Sequence, residues 1–125
     1  MSAMLNAFRL LLVLYGIIAA VTGGRAATAS YDAEGSSPMQ DSNHRFIAAV
    51  WASTALAFFY TAWNPSEVAL FRFLMVAVFI GGLLRAYGLR FYAASSFVVM
   101  GILIELVPTA LLFWMHTKLL NADSL

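Results

Sequence analysis

Of the six acidic residues in this 125-residue chain, only Glu105 falls near the middle of a long apolar stretch. An unpaired carboxylate in hydrocarbon costs several kcal/mol or takes up a proton, so a residue there needs a partner or a task. Arg45 and Arg85 each lie about one turn inside an apolar stretch and enter from one membrane face, with Glu105 beneath them. Two chemistries fit this candidate intramembrane polar cluster. One is a structural ion-pair or hydrogen-bond cluster that fixes helix register. The other is a site for protons, cations or a lipid head group. Pro108 follows three residues after Glu105, freeing a carbonyl one turn earlier and predicting a helix kink there. That kink is either a simple bend or the means of opening a cavity beside Glu105.

Other chemistry finds little material. With no cysteine there are no disulfides, thiolate ligands or cysteine nucleophiles. His44 and His116 are expected at opposite membrane faces, each as an interfacial residue, so together they ligate no metal or haem. No HExxH spacing, glycine-rich phosphate loop or nucleophile elbow occurs, and Glu105 has no second carboxylate beside it. The six methionines are scattered through apolar stretches and read as packing. No catalytic residues, metal or cofactor are expected, although bound lipids are compatible with the sequence. A net charge of +1 without a basic run argues against nucleic acid as a partner.

The elements that must position these residues follow from composition. The chain is 62% hydrophobic and 10% charged, against roughly 25% charged in soluble domains. A chain this short has too little interior to hide so much apolar surface from water. Four apolar blocks, about 5–23, 44–63, 67–87 and 92–118, each have the length a bilayer requires. Unpaired backbone amides are not tolerated in lipid, which makes the blocks helices. The first could be taken for a secretion signal, since Arg9 precedes its apolar core and Ala27-Thr28-Ala29 resembles a cleavage motif; its length favours a retained helix.

Residues 24–43 form the only long polar loop, with Pro38 within it. Asn64-Pro65-Ser66 and Gly88-Leu89-Arg90 are expected as tight turns, with Ser66 capping the third helix. Short connections imply an all-α integral membrane four-helix bundle, up-down-up-down, as a single transmembrane domain with both termini on one side. Trp63 and Trp114 fall at one interface, Tyr87 and Tyr92 at the other. The basic residues are split too evenly between the two sides to orient the bundle.

At 3.6 residues per turn, small residues share a face with the polar ones. Arg9, Val13, Gly16, Ala20 and Gly23 align in the first helix; Arg45, Ala48, Ala49, Ala52 and Ser53 align in the second. Arg85 lies above Gly81 and Gly82 in the third, and Phe97, Gly101, Glu105, Pro108 and Thr109 align with His116 in the fourth. Small residues permit close helix approach and intramembrane charges turn inward, so these faces are expected to form the interior. Close packing is expected at Gly16, Ala52, Gly81, Gly82 and Gly101. Phe58, Phe59, Phe71, Phe79 and Phe113 are then expected to face lipid or a partner.

Three segments carry a resemblance: Asn43-His44-Arg45-Phe46, Phe79-Ile80-Gly81-Gly82-Leu83-Leu84-Arg85 and Glu105-Leu106-Val107-Pro108. In order and spacing the chain resembles the family classed as domain of unknown function 4345, small four-helix bacterial membrane proteins. The resemblance implies that fold and a bacterial cytoplasmic (inner) membrane location, and it brings no activity. Three functions remain open. The leading expectation is an accessory subunit packing against a larger membrane protein complex. The alternatives are a small homo-oligomeric transporter, proton- or cation-coupled through Glu105, and a lipid- or quinone-binding membrane protein using Arg45, Arg85 and Glu105.

Overall fold

The computed structural model describes residues 3–29 and 35–122. Four helices account for most of them: α1 (Ala3–Thr28), α2 (Pro38–Trp63), α3 (Val68–Gly88) and α4 (Ser96–Asn121). Each is long and apolar enough to cross a membrane. No strand occurs among the described residues.

The helix starts differ from expectation for local reasons. α2 begins at Pro38, well before residue 44, because Ser37-Pro38-Met39-Gln40 is a capping box. The Gln40 amide donates to the Ser37 hydroxyl at 3.3 Å, and the Ser37 amide donates to the Gln40 side chain at 2.7 Å. Pro38 occupies the first turn, where its missing N–H is no loss. α1 meanwhile continues to Thr28, into the supposed cleavage motif. The long polar loop therefore shortens from both ends. α3 is capped by Glu67 without a side-chain bond, so Ser66 is not its cap. α4 starts at Ser96, where the Ser95 hydroxyl accepts from the Val98 amide at 3.3 Å. Tyr92 lies in the preceding turn rather than in the helix.

Contacts between α1 and α2 run in opposite directions along the two helices. Arg9 meets Ala62, Gly16 meets Phe59, and Gly23 meets Ala48 and Ala52. Along α3 and α4 the same holds, with Arg72 beside Phe113 and Arg85 beside Gly101. Both neighbouring pairs are thus antiparallel.

The core is built largely of bulky aliphatic and aromatic side chains, and the expected small-residue faces enter it only in part, with Gly16, Gly23, Ala48 and Gly82 buried. Phe8, Phe58, Phe71 and His116 are essentially inaccessible, and Tyr15 is 4% exposed. Phe71 packs on the His116 ring at 4.1 Å between centroids, Phe8 on Phe71 at 5.3 Å, and Tyr15 on Phe58 at 5.5 Å. Phe58 and Phe71 therefore do not face lipid. Ala20, Ala49, Ser53 and Gly81, placed inside by the small-residue argument, are exposed. The physical reason is volume. Four helices around a common axis leave a central space that small side chains cannot fill, whereas glycine and alanine serve between two adjacent helices. Gly23 illustrates this: a Cβ there would come 2.6 Å from the Ala52 amide nitrogen and 2.7 Å from the Ala48 carbonyl.

Candidate functional site

Arg85 and Glu105 form a bidentate ion pair between α3 and α4. Nε of Arg85 donates to Oε2 of Glu105 at 3.1 Å, and Nη2 donates to Oε1 at 2.8 Å. This fork geometry is the strongest form of carboxylate recognition available to a side chain. Glycines on both helices make room for it. A Cβ on Gly82 would lie 2.9 Å from the Glu105 Cβ, so only glycine lets α4 approach this closely. Gly101 leaves a floor over which the Arg85 side chain lies, about an ordinary van der Waals distance above. Gly81, one residue away, has nothing within 4 Å and is no packing position.

Helix rise fixes the depth of the pair along its helices. Glu105 lies about 5 Å from the midpoint of α4 and Arg85 about 10 Å from that of α3. Both occupy inward rows. Leu74, Val78, Gly82 and Arg85 follow one another at helical spacing, as do Ile102, Glu105, Thr109, Leu112 and His116. Yet the Arg85 side chain is 45% exposed, against 17% for Glu105. The arginine end of the pair is therefore reached from outside the bundle.

Arg45 does not join this pair. Its Nε donates to Asp41 Oδ2 at 2.9 Å, one turn earlier in α2, and its Nη1 donates to the Ala27 carbonyl at 2.9 Å. Arg45 therefore stands beside the end of α1. Arg9 makes the matching contact at the other end, where its Nε donates to the Ala62 carbonyl at 3.1 Å. Each arginine thus serves the carbonyl end of the neighbouring helix, where orphan acceptors and the negative end of the dipole lie.

Tyr15 contributes a contact that sequence reasoning missed. Pro108 has no N–H, so the Ile104 carbonyl lacks its intrahelical donor. The Tyr15 hydroxyl, from α1, donates to that carbonyl. α4 runs through Pro108 from Ser96 to Asn121. Pro108 signalled the freed carbonyl, but nothing in the sequence named the donor. His116, on the face of α4 expected to turn inward, is 1% exposed, and its Nε2 donates to the Pro65 carbonyl at 2.8 Å. It ties the end of α4 to the α2–α3 turn. His44 is exposed near the start of α2. Among the described residues, no group of three or more metal-ligating side chains comes together.

Four membrane-length helices, a core of bulky apolar side chains and an ion pair linking α3 to α4 define a small four-helix membrane protein. Residues 1–116 match the family described as Domain of unknown function (DUF4345), and the chain belongs to it. No curated protein and no solved structure matches.

Proposed function

We infer that this protein is a small accessory subunit that packs sideways against a larger protein assembly in a bacterial inner membrane. The observation that carries the reading is the state of α4. It has the highest mean hydropathy of the four helices, 2.2, yet only 11% of its most apolar window is buried, against 28–33% in the others. Met100, Leu103, Val107, Leu111 and Trp114 form an outward stripe at helical spacing along it. A helix this apolar and this little used by its own bundle is suited to a second helix-packing surface. The inner-membrane setting follows the family resemblance, and the antiparallel pairings support placing both termini on one face.

The transporter reading has less support. Both Glu105 oxygens already accept from Arg85, so exchange with protons or cations would first require that bidentate pair to open.

The test is gentle extraction from the native membrane at native abundance, followed by native mass spectrometry of the particle. A large particle with stoichiometric companions, lost on Val107→Arg, supports the accessory role. A monomer or small homo-oligomer overturns it.

A further inference from the structure

The outer side of the α3–α4 seam carries a groove of about 350 Å³ lined by Met75, Val76, Phe79, Thr109, Ala110 and Phe113. That volume lies at the lower end of ligand pockets, which run from roughly 300 to 1,000 Å³. The lining is chemically apolar throughout. Its one hydroxyl, on Thr109, is committed to the Glu105 and Leu106 carbonyls at 2.6 and 3.0 Å. Val76, Phe79 and Phe113 are all partly exposed, so the groove opens outward.

Arg72 stands at one end. It shares the flank of α3 that carries Val76 and Phe79, and its guanidinium carbon lies 5.9 Å from the centroid of Phe113, a groove residue. Arg72 takes no part in the Arg45–Asp41 or Arg85–Glu105 ion pairs, and among the described residues it has no carboxylate partner. As the fifth residue of α3 it is about 6 Å from the helix start, while Phe79 is about 10 Å deeper along the helix. Exposed Trp63 and Trp114 belong to the same end of the bundle. A cation near the membrane boundary, continuous with an apolar slot running inward, has the layout of a phospholipid.

We propose that the α3–α4 groove holds one acyl chain of an anionic phospholipid of the surrounding bilayer, with its phosphate on Arg72. A zwitterionic lipid of the same chains meets the same slot, but its choline cation opposes the arginine. The site therefore selects by net head-group charge. It lies on a different flank of α4 from the outward stripe, so its occupancy does not depend on the accessory role.

The test uses the purified full chain in mild detergent, offered phosphatidylglycerol and phosphatidylcholine with identical chains, and reads bound lipid by native mass spectrometry. The wild type should retain one phosphatidylglycerol in preference to phosphatidylcholine. Arg72→Gln, at an exposed position that leaves packing intact, should lower phosphatidylglycerol retention about fivefold and abolish the preference. Ala110→Trp should fill the groove and reduce retention of both lipids, whereas Leu56→Trp, on an exposed face of α2, should behave as wild type. Equal retention of the two lipids by the wild type, or an unchanged preference in Arg72→Gln, overturns the proposal. So does a folded Ala110→Trp protein that retains lipid as the wild type does.

Discussion

Replacing Tyr15 with Phe removes one oxygen atom and leaves the ring stacked on Phe58. The loss falls on the Ile104 carbonyl, which Pro108 deprives of its helical donor and which the Tyr15 hydroxyl alone supplies among the described residues. A buried acceptor left without a partner costs about 1–3 kcal/mol. Side-chain hydrogen bonds between membrane helices average about 0.6 kcal/mol, because other partners are found in the unfolded state. An acceptor that no backbone donor can reach should sit above that average, at about 1–2 kcal/mol. The measurement is reversible unfolding in mixed micelles or by steric trapping, for Tyr15→Phe, Pro108→Ala and the double variant. Pro108→Ala returns an N–H at position 108, which can bond the Ile104 carbonyl along the helix. In that background Tyr15→Phe should cost little, giving a coupling of about 1 kcal/mol. If Tyr15→Phe costs nothing, or costs the same with Ala at 108, the hydroxyl does not serve the carbonyl that the proline frees.

Other expectations follow from single contacts. Gly82→Ala places a Cβ 2.9 Å from that of Glu105 and should destabilise by about 1–3 kcal/mol; Gly81→Ala, with open space around it, should be neutral within about 0.5 kcal/mol in the same unfolding measurement. Glu105→Gln retains one acceptor for Arg85 but leaves the guanidinium charge unbalanced. The pair lies within the membrane-length helices, so the loss should be about 1–3 kcal/mol, and restoring neutrality with Arg85→Gln should recover part of it. Ser37→Ala breaks the capping box and should cost about 1 kcal/mol, with faster amide exchange confined to the first turns of α2.

Hydropathy alone determined that there are four membrane-length helices, and the placement of Glu105 and Arg85 within them marked the pair as partners. Lipid requires continuous apolar length and penalises unpaired charge, and both are one-dimensional properties of a chain. The start of α2 was also legible: Ser37-Pro38-Met39-Gln40 is a complete start signal, masked by the polar composition around it. Reading it would have put Asp41 on the same helix one turn before Arg45, as its partner. What only the tertiary structure decided is which apolar faces turn inward. In water, burial selects the apolar face of a helix; in lipid both faces are apolar, and the pattern that separates them is lost. Phe58 and Phe71 entered the core because the space between four helices has a volume to fill, a quantity belonging to the packed bundle. The Tyr15 donor is of the same kind, since Pro108 fixes where an acceptor is freed and only the fold determines which neighbouring helix answers it.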